Sequence, residues 1–94
     1  MLKDLIPLAE QIQALHREAY WQYLPKVEAL IKSNIQDDNT IQALLDGLLD
    51  FCGEEQILLL FKKLCQYYWA INPQATAEYI HFYREIFDAE RHEN

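Results

Sequence analysis

The sequence predicts an all-α fold, a small antiparallel bundle of four helices. Three observations carry this. Apolar residues recur at spacings of three and four, and no run alternates over five or more positions as a half-buried strand would. Two glycines and three prolines in 94 residues are too few for the many tight turns of a small sandwich or barrel. Hydrophobic residues make up 51% of the chain, which argues for a packed core and against disorder. A chain of this length is one domain, 1–94, and buries roughly two-thirds of its unfolded surface without metal or disulfide staples.

The first helix is announced by Pro7, which suits a first turn because its missing N–H is not needed there. Leu8, Ile12, Leu15 and Ala19 then form an amphipathic stripe that continues through Tyr23, Val27 and Leu30 or Ile31. Pro25 interrupts it. Inside a helix it removes one hydrogen bond and clashes with the Trp21 carbonyl, at a cost of ~3 kcal/mol. Either the helix kinks there, or it ends near Leu24 and restarts with Pro25 in its first turn; the stripe keeps its phase across Pro25, which favours one long kinked helix. Ser33 to Asn39 is polar apart from Ile35 and reads as a loop, with Asp38 or Asn39 capping the next helix.

Ile41, Leu44, Leu45, Leu48, Leu49 and Cys52 share one face of the second helix, and Gly53 stands where a left-handed terminal residue is expected. The third helix, about 54–71, starts at Glu54 and Glu55, favourable at a positive helix end. Ile57, Leu60, Phe61, Leu64, Tyr68 and Ile71 form one row, and Leu58, Cys65 and Trp69 a second. Apolar on most sides, it is the central helix of the bundle. Asn72-Pro73 pairs a cap with a proline at the first helical position. Thr76, Tyr79, Ile80, Tyr83, Ile86 and Phe87 then share a face, and Arg91 to Asn94 is a polar tail. Tyr68 to Ala75 is similar to the junction between tetratricopeptide repeats. The Trp…Leu-Gly…Tyr signature of such a repeat is absent and no second copy occurs, so the stretch reads as a helix–helix corner only.

No 7–15-residue apolar run follows Met1, so no signal peptide is expected, and the longest apolar run, Ile57 to Phe61, is far short of a membrane span. Cys52 and Cys65 would lie about 18 Å apart in a hairpin turning at Gly53, too far for a disulfide. Reduced, buried thiols in a cytoplasmic protein are expected.

Eight basic and fifteen acidic side chains give a net charge of −7, which argues against nucleic-acid and phosphate binding. The imbalance sits in residues 37–56: Asp37, Asp38, Asp46, Asp50, Glu54 and Glu55, with no Lys or Arg. Four of these stand at helix starts, where acids are favourable by ~0.3–1 kcal/mol each. Asp46 and Asp50, one turn apart on the polar face, need another account, and steering of a basic partner would supply one.

The aromatic residues, 13% of the chain, cluster as Tyr20-Trp21-Tyr23, Phe61 with Tyr67-Tyr68-Trp69, and Tyr79-Phe82-Tyr83-Phe87. Adjacent helical residues point about 100° apart, so three in a row cannot share one core. Trp21, Tyr67 and Phe82 leave the main stripes, and with Trp69 they are the candidates for a contact surface. Completing the core around a central helix is the competing role for the same rings.

No catalytic residue and no cofactor emerge. Gly-rich phosphate loops, Gly-x-Ser-x-Gly, Cys-x-x-Cys and EF-hand loops are missing. Glu78, His81 and Glu85 lie on one helix face and are the only metal-ligand candidates, joined by His16 if the first and last helices pack together; a di-iron site would need a second Glu-x-x-His and two more Glu. His92 lies in the tail. The expected function is a small acidic helical interaction or regulatory module, not an enzyme. Its partner would be a protein, basic or a second copy as a homodimer, with no direct nucleic acid and no membrane. A metal-binding protein and an acidic mimic of nucleic acid are the alternatives.

Overall fold

Helix α1 runs from Leu2 to Lys32 without a break, through both Pro7 and Pro25. The computed structural model describes residues 2–88, so the polar tail and His92 lie outside the described residues, as do the side chains of Leu8 and Ile12. Pro7 is therefore interior to the helix and not in its first turn. Continuity across Pro25 follows the unbroken phase of Ala19, Val27 and Leu30, all buried on one face. Leu15 departs from the expected stripe and is 59% exposed.

The end of α1 uses a device that the polar reading of 33–39 does not reveal. Asn34 adopts a left-handed conformation, φ 54°. The Asn34 N–H donates to the Ile31 carbonyl and the Ile35 N–H to the Leu30 carbonyl, both at 3.1 Å. This crossed pair is a Schellman closure, and Asn is the side chain that tolerates it best after glycine.

Helix α2, Asp38–Leu49, is capped by Asp37, whose carboxylate accepts from the Thr40 N–H at 2.9 Å and the Thr40 hydroxyl at 2.7 Å. The cap thus lies one residue before the expected pair, and Asp38 is freed for a tertiary contact. Ile41, Leu45 and Leu48 are fully buried, and α2 closes on Asp50 in an ordinary helical conformation. Gly53 has no positive φ, so the expected left-handed glycine is not the terminator. Gly47 has a clearer role. A Cβ there would stand 2.9 Å from Cζ of Tyr23, so its absence lets the α1 ring lie against α2.

Helix α3, Glu55–Trp69, packs against α1, α2 and α4 and is the central element. Ile57, Leu60, Phe61, Leu64, Cys65 and Tyr68 are its buried residues. Asn72 caps α4, Pro73–Tyr83, by accepting from the Ala75 N–H at 3.0 Å, with Pro73 at the first position. One π-helical turn, Arg84–Asp88, follows. Its i→i+5 winding breaks the 3.6-residue register. Phe87 still reaches Tyr83, 5.1 Å between ring centroids, but Ile86 leaves the face predicted for it and is exposed. Among the described residues no helix is long and apolar enough to cross a membrane.

Candidate functional site: two sides of α4

The first side begins with spacing. Asp38, Gln42 and Asp46 stand four residues apart on α2 and so form one row. Two tyrosines bring their hydroxyls to it. Tyr68, fully buried in α3, donates to the Asp38 carboxylate and accepts from Gln42 Nε2 at 2.9 Å. Tyr79, buried in α4, donates to Asp46 Oδ1 at 2.8 Å and lies 3.3 Å from the Gln42 carbonyl. Asn72 adds a donor to Asp38 at 3.2 Å. The hydrogen bonds from Tyr68 and Asn72 hold the Asp38 carboxyl below its ordinary range. Burial, reinforced by the carboxylate each one faces, pushes both phenols up. The row thus joins α2, α3 and α4 through charge-assisted hydrogen bonds.

This network accounts for much of the acidic segment. Asp37 caps α2, Asp38 and Asp46 accept from tyrosines, and Glu54 lies 3.8 Å from His16 Nδ1. Among the described residues, only Asp50 and Glu55 of the six have no side-chain partner. Asp46 remains exposed while serving Tyr79, and Asp50 is exposed at the end of α2.

The second side is an open groove of about 670 Å³ between α3 and α4. Leu58, Phe61, Cys65, Thr76, Ile80 and Tyr83 form its floor and walls, and Lys62, Gln66, Trp69 and Arg84 its margin. The Thr76 hydroxyl is satisfied by the Asn72 carbonyl at 2.8 Å, and no buried side-chain polar atom lacks a partner among the described residues. Burial raises the Cys65 thiol to about 11, and burial together with Cys65 raises Cys52 to about 12. Both cysteines are free and buried, and both thiols are protonated at neutral pH, unsuited to nucleophilic work.

The four aromatic candidates go to different places. Trp21 is 66% exposed on α1, edge-on to Tyr20. Trp69 is 54% exposed and lines the groove together with Leu58 and Cys65, the other members of its predicted row. Phe82 is 48% exposed and packs edge-on against Tyr79, away from the groove lining. Tyr67 is half-buried, and its hydroxyl donates to the Ile35 carbonyl at 2.5 Å, tying α3 to the Schellman closure of α1. Tyr67 therefore has a structural tie of its own, while part of its ring stays accessible.

The metal candidates do not converge. His81 Nε2 lies 3.3 Å from Glu85 Oε1 on an exposed face, and among the described residues no three His, Cys, Asp or Glu side chains could hold an ion together. His16 does not approach His81. It packs edge-on against Phe51, 5.7 Å between centroids, at the α2–α3 turn. Helical periodicity predicts burial of the rings at positions 68 and 79 but says nothing of where their hydroxyls go. The four-residue spacing of Asp38, Gln42 and Asp46 is the signal that could have found it. No family model, no curated protein and no solved structure matches this chain.

Proposed function

We propose that this chain is a small acidic interaction module, non-catalytic, which binds a protein partner through exposed aromatic side chains. The observation that carries the reading is the exposure of Trp21, Trp69 and Phe82 while Phe61, Tyr68 and Tyr79 fill the core. An exposed indole holds apolar area in water that a partner would remove, and tryptophan is the residue most enriched at energetic centres of interfaces. The exposed carboxylates of Asp46 and Asp50 support steering of a basic partner on another edge, an effect that fades with salt.

The test is capture from the native host with the tagged chain and its Trp21→Ala, Trp69→Ala and Phe82→Ala variants. At least one variant should lose a partner that the parent retains, with helical circular dichroism unchanged. Retention of every partner by all three variants would sink the reading. Light scattering decides the homodimer form, which requires a mass above one chain at high concentration.

A further inference from the structure

The geometry points to the α3–α4 groove as a seat for an acidic amphipathic helix of a partner protein. The inference rests on the interaction reading above and names the surface and the chemistry of its occupant. Its first support is charge. The chain carries −7 overall, yet among the described residues no carboxylate lines the groove, whereas Lys62 and Arg84 both do. Neither cation has a carboxylate within ion-pair distance among the described residues, where both close pairs involve histidine. The two cations at its margin favour an acidic group at that place, within a molecule whose net charge is otherwise negative.

The second support is how the cations and the indole are arranged. The rings of Phe61 and Tyr83 are 6.0 Å apart and fix the register of α3 against α4. Lys62 and Arg84, each the residue that follows one of these rings, both line the groove. Trp69 lies seven residues further along α3, about 10 Å at ~1.5 Å per residue. An occupant must offer acid at that margin and apolar groups over the next two turns. The floor at Leu58, Cys65 and Ile80 has no unsatisfied polar atom, so it takes apolar side chains. From Leu58 to Trp69 the trough runs about 16 Å, roughly three helical turns.

The third support is the open form of the groove. Its walls are two helices joined by a short corner, and a third helix laid along them would pack ridges into grooves at ~8–10 Å separation. A single acyl chain lying there would keep much of its length in water. A helix with apolar residues at i, i+3 or i+4, and i+7 covers the floor while its acidic residue meets Lys62 and Arg84.

The experiment selects from displayed 16-residue helical peptides, randomised on one face, against the full chain. Enriched peptides should carry the apolar spacing together with Asp or Glu. They should shift the NMR signal of the Trp69 indole and leave that of Trp21 in place. The double variant K62E/R84E changes two exposed side chains, so helical circular dichroism should hold. Peptide affinity should drop at least tenfold, and selection against this variant should enrich Lys or Arg instead. Unchanged affinity in K62E/R84E would overturn the inference. So would sodium laurate binding in the groove with no peptide enriched, or a chain dimer that K62E/R84E dissociates. Acidic-helix binders that map to Trp21 or Phe82 would overturn the groove assignment while leaving the interaction reading intact.

Discussion

The two sides of α4 answer the same problem, polar groups beside apolar ones, in opposite ways. Toward α2, each hydroxyl meets a carboxylate or amide of the same chain: Tyr68 with Asp38 and Gln42, Tyr79 with Asp46. Toward the outer side of α3, Lys62 and Arg84 border an apolar trough with no ion-pair partner among the described residues. The difference teaches that charge density alone is a poor guide to a binding edge. The acid-rich segment is largely occupied with holding helices together, whereas Lys62 and Arg84 have no such partner among the described residues.

The largest expected effect separates neighbours in sequence. Tyr68 is fully buried and bonded, whereas Trp69 is mostly exposed at the groove. Tyr68→Ala should cost about 3–5 kcal/mol, because it opens a cavity and strands Asp38 and Gln42. Trp69→Ala should cost under about 1 kcal/mol, in line with a surface truncation. Urea denaturation checks the pair. Similar losses at both positions would erase the distinction between a closed side and an open one.

A smaller effect appears at the extremes of pH. Asp38 titrates below its ordinary value of 3.8 in the folded chain, so its contribution is present above that value and lost as pH falls through the folded one. Tyr79 titrates above its ordinary value of 10.0, so its contribution is present below 10 and lost as pH rises past it. Melting temperature should therefore fall below about pH 4 and above about pH 10. Asp38→Asn should flatten part of the acid limb and Tyr79→Phe part of the alkaline limb. Limbs unchanged by either substitution would detach the tyrosines from the stability of the α2 side.

These effects also mark how far the sequence could be read. The fold class, the four helices and the central place of α3 follow from apolar period and from Asn72-Pro73, because burial of a stripe is a local property of spacing. The cation pair at the groove was not legible. Lys62 and Arg84 are 22 positions apart, and only the packing of α3 against α4 brings both to one groove. The hydroxyl partner of Tyr67 is hidden for a related reason. Its ring leaves the helix stripe as expected, but the carbonyl that receives its hydroxyl belongs to a loop 32 residues away. Partners separated by whole helices are set by packing, and helical period does not report them.

The smallest effects concern the two helix ends that local rules ranked in the wrong order. Glycine is the usual left-handed terminator, yet Gly53 is not in that region and Asn34 is. A Cβ at Gly53 would meet only Phe87 Cε1, at 3.7 Å, an ordinary contact. Gly53→Ala should therefore stabilise by about 0.4–1 kcal/mol, through the lower entropy of the unfolded chain. Asn34→Ala places a Cβ where the left-handed turn penalises it and should lose about 1 kcal/mol. Asn34→Gly removes that penalty and should be close to neutral. Were Gly53→Ala to destabilise and Asn34→Ala not, the closure of α1 would not depend on Asn34, and Tyr67 would be fastened to a loop held by something else.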